Sequence, residues 1–357
     1  MTFLFLNSAR QWGGNENWIL LAADALRAHN QRVIIAYRSE QVGSRYSKEK
    51  IKLPFYSEVD VITLLRLFKL IKYQHVDIII STKQKEYFIG GFLARFCGIK
   101  NILRLGIVRR LQNTWSKRLI YDRLCDGIIV NARTIKEVLC ESSFIKPGKI
   151  IPIYNGVDIR DLHKKSELIF FKKSFSFLIV SSGMLIKRKG FDLLLRAFAA
   201  FKHSPDGKDA GLLLLGDGEE RENLQRLSRE LQIDRVTVFQ RYRENPFPYI
   251  KQADCFILLS ENEGIPNALI EAMAFRLPVI TAPSGGINEI ITDGENGFIV
   301  KRNDENLLIN RLRQLKKDPS LRRRLGGNAY LTVNKQFNTG RMAEQIIQFC
   351  EKTGRKQ

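Results

Sequence analysis

The sequence is poor in the residues that build metal sites and disulfide frameworks. Its four histidines, His29, His75, His163 and His203, are scattered without ligand spacing, and single histidines of this kind more often sit in a core or on a surface than on a metal. Five cysteines, Cys97, Cys125, Cys140, Cys255 and Cys350, are odd in number, far apart and form no C-x-x-C pair. That pattern suggests neither a disulfide scaffold nor a thiolate zinc site and reads as reduced thiols of a cytoplasmic protein. No Asp-x-Asp pair occurs. No stretch approaches the roughly 18 apolar residues of a membrane span. The apolar start, Thr2-Phe-Leu-Phe-Leu6, has no basic leader and is too short for a secretory signal, so the expected location is the cytoplasm. Acids are also in short supply: 37 Asp and Glu stand against 58 Lys and Arg, a net charge of +21. Residues 1–165 hold 28 basic and 14 acidic side chains, the remainder 30 and 23. A field of that sign draws an anionic partner; nucleic acid, anionic lipid and a phosphorylated glycan all satisfy it, so charge alone selects none.

What is present is ample. A chain of 357 residues, 44% apolar and 27% charged, is long enough for two domains and too apolar to be mainly disordered. Short β-branched runs alternate with amphipathic stretches of helical length, the pattern of parallel strands joined by crossover helices. Strands are predicted at 2–6, 32–37, 77–81, 101–104, 127–131 and 150–153, with helices at 16–29, 61–73, 87–96, 116–124 and 133–141. A polar, basic stretch near 158–174 reads as a linker. A second series follows, with strands at 175–182, 211–215, 236–239, 255–259, 278–281 and 298–300 and helices at 191–201, 221–231, 268–274 and 305–315. The fold class is therefore α/β, with two Rossmann-like doubly wound domains: 1–160, 161–340, and a C-terminal helix in 341–357 expected to cross back to the first. Two such domains facing each other would leave a cleft at the carboxyl ends of their strands, where ligands bind in open α/β sheets.

The most informative stretch is Glu263-Gly-Ile-Pro-Asn-Ala-Leu-Ile-Glu271-Ala-Met-Ala, followed by Pro278-Val-Ile-Thr. Glu263 falls on a loop after a predicted strand and Glu271 in the first turns of the next helix. Glycine and proline let the backbone approach a ligand, and free N–H groups at a helix start favour phosphate oxygens. Two carboxylates beside a phosphate site make sense if they accept hydrogen bonds from neutral hydroxyls. A sugar nucleotide has such hydroxyls at both ends of its diphosphate, and eight helical residues span roughly 12 Å. An isolated pair of glutamates would read as solvated surface acids favoured by the helix dipole; the flanking strand, Gly264-Ile-Pro266 and Ala272-Met-Ala274 favour a ligand site.

With these neighbours, Glu263-x7-Glu271 resembles the donor motif of the retaining glycosyltransferases of family 4, which have the GT-B fold and include enzymes of bacterial lipopolysaccharide and envelope glycan synthesis. The resemblance extends over Gly13-Gly14-x-Glu16, Tyr154-Asn155-Gly156-Val157-Asp158, Gly183 to Gly190, Gly216-Asp-Gly218, Gly285-Gly286-Ile-Asn-Glu289 and Asp293-Gly-Glu-Asn-Gly297. It implies that Glu271 binds ribose hydroxyls and that Glu263, Gly264, Ile265, Pro266 and Asn267 contact the donor sugar. Arg188 and Lys189 would neutralise the diphosphate, Gly14 would let backbone approach the phosphates, and Tyr242 and Arg243 would lie at the nucleotide base. The catalytic set is then Glu263, Lys189 and Arg188. Three positions depart from the family pattern: Met184 stands where an arginine often follows the glycine, Arg104 where many members have histidine, and Arg241 where a glycine often precedes the base loop. Arginine cannot shuttle a proton at neutral pH but can hold a phosphate or a hydroxyl, so Arg104 and Arg109 are candidate acceptor contacts.

The implied activity is metal-independent transfer of a sugar, with retention, from a nucleotide-sugar donor such as a UDP-sugar to a glycan or lipid-linked glycan acceptor, with no metal or other cofactor and no nucleic acid partner. A nucleotide-sugar 2-epimerase of the same architecture and a non-catalytic basic protein binding lipid or nucleic acid are the competing readings. The predicted helix 61–73 carries Arg66, Lys69 and Lys72 beside Leu, Phe and Ile, and 104–123 interleaves Arg109, Arg110, Lys117, Arg118 and Arg123 with Leu, Trp115 and Tyr121. Such helices can lie on an anionic bilayer, although a crossover helix with its apolar stripe on the sheet fits 61–73 equally. Peripheral contact with the inner face of the cytoplasmic membrane is the expectation.

Overall fold

The computed structural model describes residues 1–47, 49–108, 110–168 and 173–353. They form two compact units, one of residues 1–156 with the C-terminal helix and one of residues 157–338.

The first unit runs β1 (Thr2–Asn7), α1 (Gly14–Ala28), β2 (Arg32–Tyr37), α2 (Glu40–Gly43), β3 (Lys50–Lys52), α3 (Val61–Tyr73), β4 (Ile78–Ser81), α4 (Gln84–Cys97), β5 (Lys100–Leu105), α5 (Trp115–Arg118), β6 (Gly127–Val130), α6 (Arg133–Cys140) and β7 (Ile150–Pro152). The strands form one sheet in the order β3-β2-β1-β4-β5-β6-β7, every pair parallel. Ile78-Ile-Ile-Ser81 is buried at every position because helices cover both faces, which demands continuous rather than alternating hydrophobicity. Trp18, Ile19 and Leu26 of α1 pack on one face with Ile346 and Phe349 of the C-terminal helix, while Leu67 and Ile71 of α3 and Ile89 and Leu93 of α4 pack on the other. Asp60 starts α3 by accepting from Thr63 N at 3.1 Å and Thr63 Oγ1 at 2.8 Å, which satisfies one of the helix's orphan donors.

The second unit begins with α7 (Ile159–Ser166) and continues β8 (Phe177–Ser182), α8 (Phe191–His203), β9 (Ala210–Leu215), α9 (Arg221–Glu230), β10 (Thr237–Gln240), α10 (Phe247–Lys251), β11 (Cys255–Leu258), α11 (Asn267–Ala274), β12 (Val279–Thr281), β13 (Phe298–Ile299), α12 (Glu305–Lys317) and α13 (Pro319–Gln336). Its parallel sheet has the order β10-β9-β8-β11-β12-β13. Phe198 and Phe201 of α8 and Leu308 and Leu312 of α12 fill one side of its core, each fully buried side chain contributing about 1.5–3 kcal/mol relative to exposure. The final helix, α14 (Thr339–Lys352), packs along α1, and Lys100 Nζ donates to its Cys350 carbonyl at 2.7 Å.

Several elements differ from the sequence reading, among them the short helices α2 and α10, which it does not predict. The polar stretch taken as linker contains α7, whose cap is Asp158, accepting from Asp161 N at 3.1 Å. β3, absent from the sequence reading, is a three-residue edge strand with two exposed lysines and so lacks the apolar run that marks a strand. α13 has 18 residues yet shows little amphipathic pattern, and its buried positions include Gly326 and Ala329. A Cβ at Gly326 would lie 1.8 Å from the Arg276 carbonyl oxygen, so the lack of a side chain at this position is the condition for close packing there.

Candidate functional site

In the second unit the strand order reverses between β8 and β11, which lie side by side. A doubly wound sheet opens a crevice at such a reversal, at the carboxyl ends of its strands. Arg188 and Lys189 sit on the loop after β8, and Glu263 on the loop after β11. Their side chains meet. Arg188 Nη1 lies 2.9 Å from Glu263 Oε1, and Lys189 Nζ bonds the same oxygen. The backbone reinforces the junction: Glu261 N donates to the Arg188 carbonyl at 2.8 Å, and Arg188 Nη1 also donates to the Asn262 carbonyl at 3.2 Å.

Two glycines let these loops approach. Gly190 (φ +68°) is left-handed and a Cβ there would lie 2.6 Å from the Leu259 carbonyl oxygen; Gly285 (φ +50°), on the loop after β12, would place one 1.5 Å from that of Glu263. Gly286 N then donates to the Gly264 carbonyl at 2.9 Å. The Glu263 loop is thus held between its two neighbours. Gly264, Ile265 and Pro266 are buried, while Glu263 and Asn267 at the two ends of the segment are partly exposed. α11 follows with no side-chain cap, leaving its first N–H groups to be satisfied otherwise.

Glu271 lies on α11. Burial pushes its carboxyl up to about 7, opposed by the charge of Lys165, which is itself ion-paired with Asp161 at 2.6 Å. Tyr242 and Arg243 are exposed on the loop after β10, the edge strand, two places from β8. The structure therefore joins Arg188, Lys189, Glu263 and the 264–267 loop directly, and sets Glu271, Tyr242 and Arg243 on separate elements of the same unit.

The remaining candidates belong to the first unit. Gly14 opens α1, with nothing within 4 Å of where its Cβ would stand. Arg109 lies outside the described residues. Arg104, a candidate acceptor contact, lies in the interior of this unit. It is only 3% exposed, because β5 directs it inward, where Nη2 bonds Asn155 Oδ1 at 3.2 Å, Nη1 bonds Asn15 Oδ1, and Cζ lies 4.8 Å from the centroid of the Trp18 ring. Burial lowers its pKa to about 10, opposed by the charges of Tyr87 and Glu16.

The family description for glycosyl transferases group 1 matches residues 164–332, and that for glycosyltransferase family 4 matches residues 12–161. The chain is a family 4-like glycosyltransferase. Over 262 residues, 72% of this chain and 71% of the relative, it is 28% identical to the lipopolysaccharide core biosynthesis glycosyltransferase LpsE of Rhizobium meliloti. Over 241 residues, 67% of this chain and 63% of the relative, it is 30% identical to the N-acetylgalactosamine-N,N'-diacetylbacillosaminyl-diphospho-undecaprenol 4-alpha-N-acetylgalactosaminyltransferase of Campylobacter jejuni. Among solved structures, HepE of Anabaena in complex with UDP-glucose superposes with a TM-score of 0.82 at 18% identity, covering 99% of this chain and all of that one. The shared architecture is GT-B, built from two α/β units.

The glycosyltransferase also carries a charged constellation that its sequence did not disclose. Glu86 is fully buried in the first unit and accepts from Thr82 N at 2.7 Å, Lys83 N at 2.8 Å and Ser8 N at 2.5 Å. Lys83 pairs with Glu16 at 3.0 Å. Ser8, Thr82 and Lys83 follow the ends of β1 and β4, which pair although 75 residues apart, again where the strand order reverses, and Glu16 and Glu86 come from the helices that follow them. The available signal was Glu86 at the third position of α4, as in a capping box.

Proposed function

We propose that this glycosyltransferase moves a sugar, with retention of anomeric configuration, from a UDP-sugar to a hydroxyl of a cell-envelope glycan or lipid-linked acceptor at the cytoplasmic face of a membrane. The observation that carries the reading is the convergence of Arg188 and Lys189 on a single oxygen of Glu263 at the strand reversal. Two cations sharing one carboxylate leave positive charge, and a nucleoside diphosphate satisfies it better than Glu263 alone. On binding, the diphosphate takes the cations and Glu263 turns to the hydroxyls of the transferred sugar. Glu271 accepts from the ribose hydroxyls. HepE, of the same fold, holds UDP-glucose, and the relatives are named for lipopolysaccharide core and undecaprenyl diphosphate substrates; both support the donor and acceptor assigned here.

In the proposed step the bond between the anomeric carbon and the diphosphate oxygen breaks, leaving positive charge on the sugar and negative charge on the departing diphosphate. Arg188 and Lys189 stabilise the latter in a preorganised site, so this reading gives no task to a metal. The acceptor oxygen bonds the anomeric carbon on the face the diphosphate leaves, and its proton passes to the departing phosphate oxygen. The test is calorimetric titration with UDP-, GDP- and ADP-sugars, followed by UDP release with and without glycan and lipid-linked acceptors. Acceptor-dependent UDP release supports the proposal. Conversion of the donor sugar without any acceptor would instead support an epimerase.

A further inference from the structure

We infer that the outer face of α3 and α4 is a docking surface for an anionic lipid bilayer. This deepens the proposed function and rests on its membrane-borne acceptor. Most of the exposed large apolar side chains among the described residues fall between Tyr56 and Trp115. Tyr56 and Val59 precede α3, and Val61, Ile62 and Leu65 (59% exposed) stand on its first two turns. Phe92 and Phe96 (70% exposed) stand on α4. These groups are tied together: Phe96 meets Phe68 of α3 edge-on at 5.6 Å, Phe92 stacks on Phe88 at 6.5 Å, and Lys85 Nζ of α4 bonds the Tyr56 carbonyl at 3.2 Å. The apolar stripe that serves the core is a different one, made of Leu67, Ile71, Ile89 and Leu93, so each helix has apolar side chains on both its inner and outer faces. A crossover helix serving only the sheet needs the inner stripe alone.

The charge on this face identifies its occupant. Arg66, Lys69 and Lys72 are exposed on α3 and Arg95 on α4 against one exposed acid, Glu58, on the turn before α3, while the sole acid of either helix, Glu86, is fully buried. Ile62, Leu65, Arg66, Lys69 and Tyr73 recur at helical spacing and share the outward side. Apolar side chains entering the boundary between headgroups and acyl chains, with lysines and arginines at the phosphates, are the two parts of interfacial binding. A second copy of this chain seated symmetrically on the same face would bring four cations from each copy together with far fewer acids.

Co-sedimentation of the full chain with phosphatidylcholine vesicles, with and without 30% phosphatidylglycerol, tests the surface. The wild type should partition onto the anionic vesicles and be released as salt is raised. Lys69→Ala with Lys72→Ala should weaken partition about thirtyfold, from roughly fivefold per basic side chain at an anionic surface. Ile62→Ser with Leu65→Ser should abolish it while leaving the thermal unfolding transition and donor binding unchanged, since these side chains are exposed. Equal partition onto neutral and anionic vesicles, or wild-type partition by both double variants, overturns the inference. So does a dimer in vesicle-free solution that the same substitutions dissociate. A chain that binds nucleotide sugar but no anionic vesicle defeats this surface alone; one that binds vesicles but no nucleotide sugar defeats the proposed function alone.

Discussion

The ammonium of Lys189 is ion-paired with the carboxylate of Glu263, 74 residues further along the chain, and both side chains are mostly buried, 13% and 14% exposed. Arg188 binds the same oxygen. In the proposed reaction the donor diphosphate displaces Glu263 from these cations. Lys189→Ala should lower turnover by about 10²–10³-fold, the usual effect of removing one preorganised stabilising donor, as read from the rate of UDP release. Glu263→Gln should also lower turnover, yet bind free UDP at least as tightly as wild type, because the competing carboxylate is gone. Weaker UDP binding in Glu263→Gln would contradict the displacement.

Glu271 should make donor binding depend on pH. Its carboxyl is raised from 4.5 to about 7 by burial, and the proposed role as acceptor from ribose hydroxyls requires the ionised form. Donor affinity should fall as pH drops below about 7 and level off above it, and Glu271→Gln should remove that dependence; calorimetry between pH 5.5 and 8.5 reads both. The stability of the ligand-free chain should run the other way. Below about 4.5 the group is protonated folded and unfolded and contributes nothing. As pH rises to about 7 the unfolded chain releases the proton first, and stability is lost. Glu271→Gln should therefore unfold at a higher temperature than wild type at pH 8, with the difference shrinking toward pH 4.5.

Gly285→Ala should damage the donor site through the backbone. The new Cβ would meet the Glu263 carbonyl oxygen at 1.5 Å, at a positive φ that costs a further ~1–2 kcal/mol for any residue but glycine. The 263–267 loop must move away. Donor affinity should fall more than tenfold, while Gly14→Ala, with open space around its Cβ, should leave thermal stability unchanged. Thermal unfolding and UDP titration of the two variants make the comparison.

Arg104 is expected to serve stability through Trp18, Asn15 and Asn155. Arg104→Ala removes a donor from each asparagine oxygen and the cation from the indole face, at a cost of about 0.5–1.5 kcal/mol per hydrogen bond lost. A fall in the denaturation midpoint with donor binding intact is the expected outcome; an unchanged midpoint would contradict the packing role.

Helix α3, predicted over 61–73, forms over the same residues, because apolar and basic side chains recurring at helical spacing are a local signal. β-branched runs such as Ile78-Ile-Ile were legible as strands for the same reason. α13 was not legible: its burial depends on small residues fitting against the Arg276 backbone, which no spacing rule records. At the candidate site, the sequence indicated which residues follow strands but not which strands adjoin. Glu86 shows the same limit, since its three N–H donors come from strand ends brought together by the β1–β4 pairing.

By itself, then, the amino-acid order determined the α/β class, the positions of most strands and helices, and the placement of Arg188, Lys189, Glu263 and Glu271 after strands, because hydrophobic period and turn chemistry are properties of adjacent residues. Only the tertiary structure decided that two cations share one carboxylate oxygen, that Arg104 is turned inward, and that α3 keeps apolar side chains on its outer side. Each of these depends on which strands pair and which faces are covered, and such pairings join residues far apart in the chain.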